Sequence, residues 1–403
     1  MIRPLAGLAA ATAISGLGTG MTMLAIPWFV LATTGDTLHT GVVTAAETLG
    51  LLAGSAVASG WVDRWGPRRC AVRFDLAAAL VVAAIPLLHH LHLLTAGVLT
   101  VLAAVLGLSR APGSTARQVL VPDIAARTGV AVERVSTIQD APEQGAQALG
   151  APVAGVVIAL LGAPVALWID AASFLLAASI TRACQAESGH LPPDVRGLTA
   201  LREGWRFLRG DRTLLAIMST AAVTNALNAG LFSVLVPAYG AWVLASPVQL
   251  GAVFAATGAA LVAGSALFSL VGLRWPRRFT VVVCCAPVLG PRAGIFLLQP
   301  PVSVLVVVSG VLMLAFGPLN PIFDAVKAER TPPPLRARVY ATIAMAGLVG
   351  MPVGTVAAGV LSSALGLMPA IAVFTAIAAL MSLCPLVFPA WRALDHPPAG
   401  LTR

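Results

Sequence analysis

Acidic residues are scarce in this chain, 16 among 403, and lysine is nearly missing, since 24 of the 25 basic residues are arginine and Lys327 stands alone. Charged residues make up 10% of the sequence, against about a quarter in a soluble domain, which excludes a water-facing globular fold of this length. The five cysteines (Cys70, Cys184, Cys284, Cys285, Cys384) have no metal spacing and mostly lie in or beside apolar runs, which argues against a disulfide framework and against a zinc site. The sequence has no phosphate-binding loop, no nucleotide domain and no nucleophile placed beside a base, so it reads as a non-enzyme without a cofactor. ATP hydrolysis is thereby excluded as an intrinsic energy source.

What the chain does have is hydrocarbon-compatible sequence: 58% of residues are hydrophobic and the mean hydropathy is +0.91. Twelve apolar runs, each long enough to cross a bilayer at about 20 residues per helix, account for most of its length. The first begins beyond Arg3 and reaches Leu31; it is too long for a signal peptide and is read as a membrane span. The expected fold is an all-α membrane protein of twelve transmembrane helices in two six-helix bundles, residues 1–182 and 213–390. A linker at 183–212 joins them and a tail at 391–403 follows.

The formal net charge of +9 would suggest nucleic acid in a soluble protein, but in a membrane protein it has a topological explanation. With the N-terminus in the cytoplasm, 24 of 25 basic residues fall on cytoplasmic connections and termini, Arg110 and Arg117 counted among them, and Arg292 is the exception. Both termini are therefore expected in the cytoplasm, and no nucleic-acid partner is expected. Within the linker, Leu198, Leu201, Trp205 and Leu208 recur at helical spacing with Arg202, Arg206, Arg209 and Arg212 on other faces. That pattern fits a basic amphipathic helix on the anionic leaflet, or equally a solvated helix that only joins the halves.

The halves echo each other. RWGPRR at Arg64 to Arg69 has a counterpart RWPRR at Arg274 to Arg278, and GAPVAG at Gly150 to Gly155 a counterpart GMPVGT at Gly350 to Thr355, at offsets of about 210 and 200 residues. Parallel repeats of this kind characterise transporters that alternate access to a midplane site.

The connection after the second run, GWVDRWGPRR from Gly60 to Arg69, closely resembles the loop signature of the major facilitator superfamily. PWFVLATTGD (Pro27 to Asp36), VPDIA (Val121 to Ala125), DAASF (Asp170 to Phe174), REGWRFLRGDRTL (Arg202 to Leu214) and the stretch from Gly317 to Val339 extend the likeness towards the enterobactin-exporter and macrolide-efflux branch. The resemblance implies a gating set of Gly60, Asp63, Arg64, Gly66, Arg68, Arg69 and Asp123. In it Gly60 allows close helix approach, Asp63 meets a helix N-terminus, and Arg68 or Arg69 faces Asp123. The second-half copy lacks the aspartate, which implies a weaker lock there. The fifth run carries Gly150, Ala151, Pro152 and Gly155 instead of the Gly-Pro pair of many proton antiporters, and this weakens the antiport inference.

Charges inside hydrocarbon are costly and are default functional candidates. Glu47 lies thirteen residues before Gly60, about 20 Å from the cytoplasmic edge, and reads either as a proton-coupling acid or as a structural one bonded to a neighbouring helix. A carboxyl that exchanges protons needs surroundings that disfavour its charged form, and hydrocarbon is such a place. Asp140, Glu143, Gln144 and Gln147 form a stripe on the fifth helix that either lines a substrate cavity or, for Asp140 and Glu143, is solvated at its mouth. Asp140 and Glu143 are further proton-coupling candidates. Asn225 and Asn228 repeat the stripe on the seventh helix, as ligand groups or as packing glue. Asp170 is expected to be structural, Asp324 to cap or gate the tenth helix near Arg330 or Arg336, and Arg292 to snorkel to the headgroups. His89, His90 and His92, at a helix end, are interfacial residues or metal ligands.

These readings lead to a monomeric secondary transporter of the bacterial cytoplasmic membrane, exporting a lipophilic or amphipathic small molecule against proton entry. Proton-coupled uptake and a transport-dead sensor are the alternatives. The orientation is directly testable: a fluorescent protein fused after Arg403 is expected to fluoresce and an alkaline phosphatase fused there to stay inactive, and the opposite pair of results overturns the cytoplasmic assignment.

Overall fold

A computed structural model describes residues 3–128, 132–183, 198–271, 276–285, 288–332, 335–388, 391 and 394. Among them every regular element is helical. In chain order these are α1 (Arg3–Thr34), α2 (Thr37–Trp65), α3 (Pro67–His90), α4 (Ala96–Thr128), α5 (Val132–Leu161), α6 (Ala163–Ala183) and α7 (Leu198–Leu208). There follow α8 (Arg212–Gly230), α9 (Val236–Tyr239), α10 (Pro247–Val271), α11 (Arg277–Cys285), α12 (Leu289–Gly294), α13 (Val302–Phe316), α14 (Leu319–Arg330), α15 (Arg336–Leu365), α16 (Leu367–Ser382) and α17 (Cys384–Val387). Among the described residues twelve segments are long and apolar enough to span a membrane; the seventh joins α8 and α9 through π-helical turns at 231–235 and 240–244, and the ninth and tenth are also composite.

Local chemistry ends the spans where the apolar runs predict. Gly35, Gly66, Gly162 and Gly366 all take positive φ just after a helix, and each backbone N–H closes on a carbonyl of the last turn at 2.9–3.0 Å. Asp36 caps α2 by accepting from Leu38 N–H at 2.8 Å, and Asp211 caps α8 by accepting from Thr213 and Leu214 N–H at 2.8 and 3.2 Å.

By packing, the chain forms two compact units, residues 1–192 with 236–255, and residues 193–235 with 256–403. In the first, α1 lies along α5 and α6, and α4 lies along α2 and α3. Small residues make these approaches possible: Gly20 abuts Gln147 and Gly150 across α1 and α5, and Gly50 abuts Ala104 across α2 and α4. Gly155 of α5 meets Pro247, and Gly251 meets Pro152, which seats the start of α10 in this unit.

The second unit repeats the scheme. Gly350 and Gly354 of α15 lie against Ala222 and Ala226 of α8, matching the α1 to α5 approach, while Gly264 and Gly317 bring α10 onto the tenth span as Gly50 brings α2 onto α4. The Gly150 and Gly350 segments recognised as sequence echoes therefore make the same kind of crossing. The amphipathic helix α7 packs on α15: Gly204 abuts Arg338 and Thr342, Leu208 is buried with Val339 and Ile343, and Glu203 pairs with Arg338. Its Trp205, Arg202, Arg206 and Arg209 remain exposed, with Arg209 over the Trp205 ring.

At such crossings even one added side chain forces helices apart, at about 1–3 kcal/mol or more. Gly50→Leu is expected to lower the melting midpoint of the purified protein by several degrees, whereas Gly60→Ala, whose Cβ meets nothing within 4 Å, leaves it unchanged. Equal melting of the two variants would contradict the crossing geometry.

Candidate functional site

The charges of the first unit converge on α4. Arg110 and Arg117 are seven residues apart, so they share one face of the helix about 10 Å from each other along its axis. Arg110 donates from Nη1 to Glu47 Oε1 of α2 at 2.6 Å, both side chains 19% exposed. Arg117 Nη1 donates to both carboxylate oxygens of Asp75 of α3 at 2.8 and 2.7 Å, and its Nη2 to Ser15 Oγ of α1 at 3.3 Å. That second pair is almost sealed, at 6% and 4% exposure. Both arginines lie inside the fourth span, Ala96–Val121, and this corrects their assignment to a cytoplasmic connection. The helix carries two cations through apolar surroundings because each meets a carboxylate from a neighbouring helix.

Beside these pairs lies a cavity of about 150 Å³, lined by Ser15, Thr19, Asp75, Arg110, Ser114 and Arg117 together with Glu143 and Gln147 of α5. Two members of the predicted α5 stripe thus reach the same space as the paired arginines. Gln144, rotated by about 100° from Glu143, is exposed and is not among the residues that line this cavity. The Asp140 side chain lies outside the described residues. Asp170 of α6 is fully buried; Thr22 of α1 donates to its carboxylate, and Ser173 Oγ lies 3.3 Å from Asp170 Oδ1.

In the second unit Asn225 lies against Gly347 of α15, a packing contact. Asn228 Oδ1 accepts from Arg292 Nη1 at 3.2 Å, and the Arg292 guanidinium lies over the Phe232 ring, 3.9 Å from its centroid. Arg292 thus turns onto the seventh span instead of snorkelling, because an aromatic face and an amide oxygen offer nearer partners than headgroups. Asp324 pairs with Lys327 at 2.5 Å, three residues on, and Lys327 also sits 5.5 Å from the Tyr340 ring centroid. The partners expected for Asp324 are taken elsewhere: Arg330 donates to Asp211 at 3.1 Å, and Arg336 to the carbonyls of Thr331 and Ala328 at 3.2 and 3.1 Å.

The loop of the gating set is partly described. Gly66 joins α2 to α3 at φ +78°, a conformation that requires glycine. Gly60 is exposed and open, so the expected close helix approach is made instead by Gly50 and Gly54. Asp63, Arg64 and Arg69 are exposed, and Arg68 donates to the Arg182 carbonyl at the end of α6. The Asp123 side chain, and hence its pairing with Arg68 or Arg69, lies outside the described residues. In the second copy Arg277 forms a bidentate pair with Glu329 of α14 at 2.5 and 2.6 Å, and Arg278 reaches the Leu386 carbonyl at 3.4 Å, so one arginine of each pair, Arg68 and Arg278, reaches the last span of its half.

The sequence matches the Major Facilitator Superfamily over residues 8–317 and again over 218–403. The chain belongs to the major facilitator superfamily. It is a multi-pass membrane transporter with that superfamily's twelve-helix, two-bundle fold, and not an enzyme. The multidrug efflux pump Tap of Mycobacterium tuberculosis strain H37Rv is 32% identical over 402 residues, covering 96% of this chain and 94% of that protein. Tap of Mycolicibacterium fortuitum is 29% identical over 407 residues, covering 97% of each. Among solved structures, the nucleoside transporter NupG aligns with a TM-score of 0.73 at 12% identity, covering 95% of this chain and 98% of that one. An inward-facing, unoccupied bacterial homologue of the human lysosomal transporter Spinster aligns at 0.67 and 14%, covering 97% and 95%. At such identities the structures share the fold.

Within this superfamily member, three charged residues of the first unit escaped the sequence reading. Asp75 lies in the third apolar run and was given no role, and Arg110 and Arg117 were credited to a loop. The signal was available as arithmetic: Glu47 and Asp75 in the second and third runs, and two arginines two turns apart on one face of α4.

Removing one partner of a sealed ion pair costs about 3–5 kcal/mol, while removing both charges costs far less. Asp75→Asn and Arg117→Gln are each expected to lower the melting midpoint strongly, and the double variant to recover a large part of the loss. Additive losses in the double variant would show that the two side chains act independently.

Proposed function

We propose that this chain exports a lipophilic or amphipathic small molecule, a drug, natural product or siderophore, from the bacterial cytoplasm in exchange for protons. The observation that carries the proposal is the Glu47–Arg110 pair with Arg110 on the wall of the polar cavity. The names of the Tap relatives support the direction, and the cytoplasmic placing of both termini completes the proposed topology.

The coupling follows from charge. A deprotonated Glu47 satisfies Arg110, and a protonated Glu47 releases it, so proton binding changes the charge that the cavity presents. With Glu47 protonated, Arg110 turns its attraction to Glu143 and competes with a cationic or polar substrate held along Glu143 and Gln147. Substrate leaves on that side of the cycle. On the cytoplasmic side Glu47 gives up its proton and recaptures Arg110, which then no longer competes with substrate at Glu143. Glu47 is the leading proton carrier in this scheme, and Asp140 and Glu143 are the secondary ones. The loop from Gly60 to Arg69, with Asp123, serves as a gate of the first half, and Asp324 as one of the second. The transporter works as a monomer in the bilayer and draws on the proton gradient alone.

The test is accumulation of labelled drugs and siderophores in an efflux-deficient host, with and without the protein and a protonophore. Lowered accumulation that the protonophore restores is the expected result, and raised accumulation would turn the reading to uptake. Glu47→Gln, expressed and folded, is expected to abolish the protonophore-sensitive part. Uphill export that persists in this variant would remove Glu47 from the coupling.

A further inference from the structure

The buried ion pairs of the first unit have no parallel at one arginine of the second. Arg292 of α12 has no carboxylate within ion-pair distance among the described residues, and none lines the space beside it. An arginine does not shed its charge to escape burial, and an isolated cation in apolar surroundings is expensive. Asn228 and the Phe232 ring compensate it only in part, since one is a neutral dipole and the other a quadrupole.

The Phe232 ring covers one side of the guanidinium, whose carbon lies 3.9 Å from the ring centroid; Nη1 is taken by Asn228, while Nε is sealed from the surface and has no partner among the described residues. The cavity beside it, about 20 Å³, is bordered by Arg292, by Asn228, and by Thr224 one turn before Asn228 on α8. The Asn228 amide oxygen faces the arginine, which leaves its NH₂ as a donor, and the Thr224 hydroxyl makes no hydrogen bond in the structure. Leu289, Ala293 and Phe374 form the other walls. A cation, an amide donor and a hydroxyl thus meet in a space with apolar sides, which strengthens any electrostatic contact made there. The volume suits one water-sized particle and is too small for a drug-like acid.

We infer that Arg292, Asn228 and Thr224 form a binding site for a single monatomic anion, a halide such as chloride, which completes the charge balance of the ninth span. The site stands apart from the Glu47–Arg110 pair and does not depend on the direction or coupling of transport. It makes folding stability depend on the identity of the anion as well as on ionic strength, because a ligand bound only by the folded chain raises its melting temperature.

The experiment is a melt of the purified full-length protein, followed by the fluorescence of its eight tryptophans, in sodium chloride, bromide, acetate and gluconate at equal ionic strength. Chloride and bromide are expected to raise the midpoint by about 2 °C or more over gluconate, in a saturable way. Arg292→Gln is expected to erase the difference. Should that variant fail to fold, Thr224→Val removes one donor at nearly constant volume, and the chloride concentration for half effect is expected to rise about tenfold. Identical midpoints in all four salts would overturn the site. So would stabilisation by acetate without chloride, which would mean a carboxylate ligand, or a chloride effect unchanged in both variants, which would place the anion elsewhere.

Discussion

Two arginines on one face of α4 set the terms for the first unit. A guanidinium cannot be left alone among apolar side chains, so α2 must bring Glu47 to Arg110 and α3 must bring Asp75 to Arg117. Each pairing fixes the rotation of a neighbouring helix about its own axis, since a turn of one residue would swing the carboxylate away by about 100°. The pair differ in setting: the Asp75–Arg117 pair is sealed and holds Ser15 of α1 as well, while the Glu47–Arg110 pair retains some access. One is built to stay closed, and the other has room to open.

Such pairings demand close helices, and small residues supply the closeness. Without a hydrophobic drive between helices in lipid, contact depends on backbones meeting, which glycine and alanine permit. The same crossings recur in both units, Gly50 and Gly264 in one pair of spans and Gly150 and Gly350 in another. What differs is the chemistry laid over the shared frame. The first unit carries matched charges in its fourth span, and the second carries a lone arginine in its ninth, with the Asp211–Arg330 and Arg277–Glu329 pairs near helix ends.

The coarse architecture was legible because it is written in one dimension. Span count follows from apolar length, and the repeat shows in Gly150 and Gly350 before any helix is built. Charge pairing is written across helices, and a linear reading has no access to it. Glu47 was recognised as buried, yet its partner was taken for a loop residue because Arg110 and Arg117 resemble topogenic arginines when their opposing acids are not counted. Of the stripe on the fifth helix, Glu143 and Gln147, one turn apart, line the cavity beside Arg110. Arg292 looked like a snorkelling residue until the ring of Phe232 supplied an alternative partner. Asp324 turned to Lys327, three residues on along its own helix, while Arg330 at the end of that helix is held by Asp211.

That Lys327 is the sole lysine gives the molecule an unusual chemical address. A primary amine held against Asp324 and above Tyr340 is shielded by its contacts, and reagents that acylate amines find only it and the chain's amino terminus. Its reactivity therefore measures how often the end of the tenth span lets go of the beginning of the eleventh, without any engineered label. Conversely, coupling chemistry aimed at lysines will immobilise or crosslink this transporter poorly, and since Cys70, Cys284 and Cys285 are buried, arginine-directed reagents are the practical handles on its surface.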